Sequence, residues 1–469
     1  MAAVSRFDVR IDKTRGKCAF AACDLIPGDE ILTDVPYVFS LRRAQRRCDY
    51  CCSYSDKLLR CSKCKLQSYC DRSCQRSAWK VHKEECKNLQ RVGNRPSQTV
   101  LLMARLVQVV KADSGYQNGG FNLPCGLHEL QSNHKQFSER ARGLVIDIMR
   151  CLGNYLGIQN VPSYPDMLEL FGRVACNSFN ICDKEMQSIG VGLYLKAAIF
   201  NHSCSPNCIA VFNSTTLHMR AVKNIKKGEE LLVSYIDLMY PTEIRQQMLQ
   251  DQYFFTCDCT ACQERVNDGQ MGSIVCQKCS GQILRKNRNS FQLCSECGAE
   301  VSTIRSSEIT ELEEDCKKVL DDSESHLVNL NHLAADNDES LIIQLSRRLE
   351  GTLHTQHFYW IHVLNKLADI AICQQNWRQA LKYCEKATPP TIKYYPCYHP
   401  LAGVQLCRLA KLYDWLDNYS EAIKYIQQAI DIIGITHGKQ HTFYEELQEH
   451  KMDYTYEAKF DAINQNATK

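Results

Sequence analysis

Cysteine and histidine recur at metal-binding spacings in this chain. Between 48 and 86 the run is Cys48-x2-Cys51, Cys61-x2-Cys64, Cys70-x3-Cys74 and His82-x3-Cys86. Zn²⁺ takes four nitrogen or sulfur ligands at about 2.0–2.3 Å, so each close pair can clip one edge of a tetrahedron. Four pairs make two sites, and spacing alone leaves their pairing open. The last two pairs are expected on one helix, from Cys70 through "DRSCQRSAWKVHKEEC", where residues four apart share a face. Cys52 is left over as a non-ligand. In "CDCTAC" (257–262) Cys257, Cys259 and Cys262 need a fourth ligand from elsewhere. "CQKC" and "CSEC" place Cys276, Cys279, Cys294 and Cys297 as two knuckles, each followed closely by a Gly suited to a tight turn. These predict a zinc ribbon on a small hairpin.

A different chemistry sits in "NHSCSPNC" (201–208). A plain turn uses Asn, Ser and Pro, but His and Cys need another reason to be there. The chain has 469 residues, enough for two or three domains, and 28 Cys. The N-terminus lacks the apolar region of a secretory signal, so metal is expected rather than disulfides. No apolar run approaches the roughly 18–20 residues of a membrane span, and no membrane partner is expected. The formal charge is +3, which excludes the chain as a whole from polyanion binders. Residues 42–91, however, carry 14 Lys/Arg against 5 Asp/Glu.

The elements that must position these residues follow from periodicity. "TRGKCAFAACDLIPGDEILTDVPYVFSL" reads as short strands and tight turns. Residues 97–175 read as mostly helical, with period 3.6 in "SQTVLLMARLVQVV" and "ERARGLVIDIMRCLGNYL". Strand character returns at 217–238, where "IKKGEELLVSY" repeats the turn-then-strand device of "IPGDEIL". After about 305 the chain turns helical, beginning with "SSEITELEEDCKKVLDDSESH". Residues 366–387 and 408–429 match at an offset of 42, pairing Leu367/Leu409, Trp377/Tyr419, Ala380/Ala422, Tyr383/Tyr425 and Ala387/Ala429. This predicts tetratricopeptide-like helix pairs, with "TPPTIKYYPCYHP" as an insertion.

The block 48–86 resembles the MYND zinc finger at all its ligand positions. "TRGK", "CNSF", "GVGLY", "NHSCSPN", "GEELLVSY" and "CDCTAC" occur in the order that resembles a SET domain of protein lysine methyltransferases. A SET domain split by a MYND finger is the hallmark of the Smyd family, and the resemblance covers about 5–265 plus the helical C-terminal region. It implies an α+β fold: a SET-domain β fold with an inserted MYND finger and helical insert, a zinc-binding post-SET segment and an all-α TPR-like C-terminal domain. Expected boundaries are 1–47 and 176–240 for the SET parts, 48–86 for the finger and 87–175 for the insert. The post-SET segment is expected at 241–265, the ribbon at 270–300 and the helical domain at 305–469. Cross-braced zinc pairing is also implied, with Cys48, Cys51, Cys70 and Cys74 on one ion and Cys61, Cys64, His82 and Cys86 on the other. Cys204 would complete the third site with Cys257, Cys259 and Cys262, giving about four zinc ions with the ribbon. Cys208 is expected in the core.

The resemblance further implies S-adenosylmethionine as cofactor, held by Arg15, Lys17, Asn133, Cys176, Asn177, Asn201, His202, Tyr235 and Phe255. Cys18 departs from the family's usual glycine in that loop. Tyr235 would be the catalytic tyrosine, and Tyr253 and Phe179 the aromatic walls of a lysine channel. The expected reaction is in-line attack of a neutral lysine amine on a sulfonium methyl, for which positioning does most of the work and an apolar channel lowers the amine pKa. Histone or non-histone proteins are the expected substrates. The alternative is an inactive-SET adaptor that docks partners through finger and repeats; a zinc-finger DNA binder rests only on the basic block. The finger is expected to bind an acidic or proline-rich peptide or to make a weak nucleic-acid contact, and to be dispensable for cofactor binding. A monomer in cytoplasm and nucleus, acting as a chromatin regulator, completes the expectation.

Overall fold

The computed structural model describes residues 5–42, 46–114, 126–324 and 338–467. The outer parts of several expected domains, and the helix expected through Ser325 and His326, lie outside the described residues. The chain opens with an antiparallel hairpin of β1 (Phe7–Asp12) and β2 (Gly16–Ala21), then β3 (Glu30–Asp34) and β4 (Val38–Leu41). The finger follows, with a small hairpin β5 (Leu59–Arg60) and β6 (Ser68–Tyr69) and the long α1 (Arg72–Val92). Asp71 caps α1 by accepting from the Cys74 N–H at 2.8 Å. The helix therefore starts beyond Cys70, which stays on the loop, and carries Cys74, His82 and Cys86 only.

Helices α2 (Gln98–Ser114), α3 (Glu139–Leu156) and α4 (Tyr164–Asn177) form the insert. The chain then returns to strands β7 (Ser178–Cys182), β8 (Ser188–Leu193), β9 (Asn201–His202), β10 (Cys208–Asn213), β11 (Thr216–Ala221) and β12 (Leu232–Val233). Two three-stranded sheets, β10-β11-β3 and β4-β8-β7, join strands from before and after the finger, and β9 runs parallel to β12. Strand character at 217–238 is thus interrupted: after β11 this span holds the short strand Leu232–Val233 and isolated bridges at Ile225 and Glu230.

The repeated turn device has a structural meaning. Its two copies, 21–32 and 221–232, hydrogen-bond to each other reciprocally. Leu25 and Ile225 exchange N–H···O bonds at 2.8 and 2.9 Å, Ala21 N–H donates to Glu229 O, and Ala221 N–H donates to Asp29 O. Gly28 (φ 96°) and Gly228 (φ 88°) occupy the equivalent turn positions, where a side chain would be strained. This exchange clamps the N-terminal strands to the segment that carries Tyr235.

Beyond the sheets, α5 (Thr242–Tyr253), α6 (Thr260–Glu264) and α7 (Asp268–Met271) lead to the ribbon. There β13 (Ile274–Val275) pairs with β14 (Gln282–Ile283), and β15 (Arg285–Asn287) with β16 (Ser290–Phe291). The rest is helical: α8 (Thr303–Glu324), α9 (Asp338–Leu349), α10 (Phe358–Cys373), α11 (Trp377–Tyr394), α12 (Pro400–Asp414), α13 (Tyr419–Thr436) and α14 (Thr442–Ala467). The Pro-rich insertion is in large part helix, not loop: α11 continues through Pro389 and Pro390. Each proline removes one backbone donor. The carbonyls left unmatched, four residues back, belong to the exposed Glu385 and Lys386, where water can reach them. Buried Thr388 and Thr391 donate their hydroxyls to Cys384 O and Ala387 O at 2.7 Å. Gly403 lets α12 press on α13, since a Cβ there would lie 2.9 Å from Ile433. The helices close over the β fold: Arg220 Nε donates to Ile435 O at 3.1 Å, and Lys184 pairs with Glu446. Among the described residues no helix is long and apolar enough to cross a membrane.

Candidate active site and metal centres

Four sets of side chains converge with all their ligand atoms within 4.8 Å of one another. They are Cys48, Cys51, Cys70 and Cys74; Cys61, Cys64, His82 and Cys86; Cys204, Cys257, Cys259 and Cys262; and Cys276, Cys279, Cys294 and Cys297. Tetrahedral zinc with Zn–S of about 2.3 Å puts neighbouring sulfurs about 3.8 Å apart. Observed separations agree: Cys51–Cys70 3.5 Å, Cys61–Cys86 3.8 Å, Cys204–Cys262 3.6 Å and Cys276–Cys297 3.6 Å. Cys52 and Cys208 stand apart, both buried. Sequence reasoning missed Arg245, a buried cation on α5 that lies against Cys204 and Cys262 and offsets thiolate charge. Metal analysis of the purified chain is expected to return close to four zinc ions, one per set. Cys276→Ser with Cys279→Ser should lower that by one, and an unchanged content would remove the ribbon site.

Tyr235, Tyr253 and Phe179 line one cleft of about 950 Å³, together with Cys176 and Asn177. The Tyr235 and Tyr253 rings are 4.9 Å apart, and Phe179 packs edge-on to Tyr194. Tyr235 donates its hydroxyl to the Phe200 carbonyl at 2.8 Å. That bond uses the only phenolic proton, so the oxygen lone pairs remain to accept. Burial holds the Tyr235 and Tyr253 phenols above their ordinary range, so both stay protonated at neutral pH.

The other expected cofactor residues lie outside the residues lining that cleft. His202 joins the two regions. Its Nδ1 accepts from the Tyr235 backbone N–H at 3.0 Å, and its Nε2 lies 3.3 Å from Cys204 Sγ. Both ring nitrogens are therefore engaged inside the protein, and the ring face is what remains. Phe255 lies 5.9 Å from it, centroid to centroid. Asn201 donates to Glu230 Oε1 and to Cys18 Sγ, each at 3.0 Å. Cys18 is buried and its thiol is pushed up, by burial first.

Glu230 was not predicted, although "GEEL" offers two carboxylates and only a register argument could choose between them. It accepts from Asn201 and pairs with Arg15 at 2.9 Å. Lys17 pairs with Glu129 at 2.6 Å. Between them Gly16 turns with φ 77°, and a Cβ there would come within 3.3 Å of Gln131 Nε2. Asn133 (φ 47°) donates to Tyr253 O at 3.3 Å, and Asn177 donates to Gln131 O and Arg173 O. These two amides brace the walls of the site.

A SET-domain model matches residues 16–236, and a tetratricopeptide-repeat model matches 405–442. The second match falls on the second of the two repeats. The chain is 31% identical over 441 residues to the histone-lysine N-methyltransferase SMYD3 of Homo sapiens, covering 92% of this chain and 94% of that one. It is 30% identical to the histone-lysine N-methyltransferase ASHR1 of Arabidopsis thaliana, covering 92% of each. With the N-lysine methyltransferase SMYD2-B of Danio rerio it shares 29% identity, over 91% of this chain and 93% of that one.

Proposed function

The chain belongs to the Smyd family of SET-domain methyltransferases, and from that premise we propose that it is an S-adenosylmethionine-dependent protein lysine N-methyltransferase. The observation that carries the reading is the link from Tyr235 N–H to His202 Nδ1, which joins a cleft lined by Phe179, Tyr235 and Tyr253 to a polar shelf.

The shelf fits the cofactor. Arg15 and Lys17 offer cations to a carboxylate, Glu230 offers an anion to an ammonium, and the His202 and Phe255 faces offer a surface to a flat ring. When bound, S-adenosylmethionine supplies a methyl group on a positively charged sulfur. The protein does the positioning. Phe179, Tyr235 and Tyr253 exclude water around the lysine Nζ, and desolvation favours its neutral, nucleophilic form. Tyr235 cannot serve as the base, because its phenol is held protonated. With its proton given to Phe200, its oxygen accepts from the amine N–H and turns the nitrogen lone pair toward the methyl. The aromatic faces favour the cationic product.

The test is methyl transfer from labelled cofactor to an array of lysine-containing peptides and to histones. Transfer is the expected result, and none on any substrate would favour the adaptor reading. His202→Ala should weaken cofactor binding about tenfold or more by calorimetry, since it frees the Tyr235 N–H and leaves it unpaired. Unchanged affinity would remove His202 from the shelf. The local basic excess of the finger supports an acidic or proline-rich peptide, or a weak nucleic-acid contact, as its further partner. A monomer in cytoplasm and nucleus, acting on histone and non-histone proteins, fits this reading.

A further inference from the structure

The hairpin β15–β16 of the ribbon reaches the cleft that holds Tyr235. Arg285 and Arg288 line that cleft, as does Lys317 of α8. Arg285 is already spent. Its guanidinium pairs with Glu313, donates to Gly272 O at 3.3 Å and to Arg288 O at 2.7 Å, and lies 4.6 Å over the Phe291 ring. Glu313 is also bound by buried His357 at 2.9 Å. The hairpin is thereby locked to α8 and to the start of α10.

Arg288 is different. With Asn289 it forms the turn between the paired Asn287 and Ser290. The turn backbone is fixed from two sides, by Arg285 Nη1 on Arg288 O and by Ser306 Oγ on Asn289 O at 2.9 Å. The Arg288 side chain is exposed and, among the described residues, has no ion pair. Glu314 of α8 also lines the cleft and, among the described residues, pairs with neither Arg288 nor Lys317. Glu243 and Asp251, eight residues apart on α5, bring negative charge to the cleft. The cleft is therefore charged with both signs, and the hairpin tip carries an unpaired cation on a fixed backbone. A guanidinium matches a carboxylate in a two-pronged bond, and a preordered backbone adds no loop-ordering cost to binding.

We infer that Arg288 is a specificity-determining residue, which reads an acidic side chain flanking the lysine that enters the Tyr235 cleft. The inference rests on the methyltransferase reading. It makes the ribbon part of the substrate site and not only a metal-held strut.

The test uses the full chain with a lysine-centred peptide array in which each flanking position is Asp/Glu, Ala or Lys/Arg. Wild type is expected to prefer an acid at one flanking position. Arg288→Glu should reverse that preference by about tenfold in kcat/KM, the effect being carried by KM with kcat and cofactor affinity retained. Arg288→Ala should lose the acid preference without gaining a basic one. A preference unchanged in both variants, or an equal loss on every peptide, overturns the inference and leaves the enzyme reading standing. No transfer by wild type to any peptide overturns both.

Discussion

Tyr235→Phe is expected to slow methyl transfer by on the order of 10²–10³-fold, the cost of removing one oriented polar group at a reacting centre. The measurement is single-turnover kinetics at saturating cofactor, which separates chemistry from product release. The hydroxyl does two things in the structure. It satisfies the carbonyl of fully buried Phe200, and its oxygen faces a cleft lined by Tyr253 and Phe179. Losing the first function costs about 1–3 kcal/mol of stability, since a buried acceptor is left unmatched. Losing the second removes the group that aims the amine. Zinc content and cofactor affinity should stay near wild type, because neither shelf nor metal set uses the hydroxyl. Tyr253→Phe is the control: its hydroxyl makes only a 3.4 Å contact to Tyr235 O, and a smaller effect is expected. A Tyr235→Phe enzyme as fast as wild type would end the role assigned to Tyr235.

Ligand spacing and ordered motifs made much of this molecule legible. The pairing of Cys48 with Cys70, and of Cys61 with Cys86, came from resemblance and not from spacing, because close pairs say nothing about which pairs meet. The turn device at 21–32 and 221–232 was visible as a repeat. Its reciprocal hydrogen bonding was not, because pairing across 200 residues leaves no local periodicity. Glu230 and Arg245 were missed for a related reason. A charged residue reads as a solvated group until tertiary structure brings it a partner from a distant part of the chain. His202 was legible by its identity, but that Tyr235 and Cys204 take up its two nitrogens could be read only from the fold. That α11 runs on through Pro389 and Pro390 was not legible, because sequence shows the missing donors but not the solvent that serves the carbonyls.

Glu85→Ala is expected to destabilise the protein by about 3–5 kcal/mol, the cost of stranding a buried charge. The zinc finger reads as a self-contained module in sequence, but its packing says otherwise. Cys48, Cys61, Cys64 and Cys86 belong to the same buried cluster as Leu102, Val107, Ile148 and Phe171 of the helical insert. Glu85 is the polar joint in that cluster. It is buried and accepts from Gln67 Nε2 at 2.8 Å and from Arg105 Nη2 at 3.1 Å. Arg105 on α2 also donates to Phe39 O of β4, so one carboxylate ties finger, insert and sheet together. The Arg105 guanidinium beside it holds the Glu85 carboxyl well below the usual range despite burial. Glu85 Oε2 is 3.8 Å from Nδ1 of His82, whose Nε2 faces the metal set. Removing the carboxylate leaves Arg105 buried without its counter-charge and His82 Nδ1 without the anion beside it. Thermal melts should show the loss of stability, and chelator competition should show zinc held about 10–100-fold more weakly at one site. Replacing both partners, Glu85→Leu with Arg105→Met, should recover most of the stability but not the zinc affinity, because apolar packing can substitute for the ion pair and not for the anion beside His82. A single variant that melts with wild type and keeps its zinc would show that Glu85 is not the joint between finger and SET fold, and would leave that role to contacts such as Arg47–Asp183.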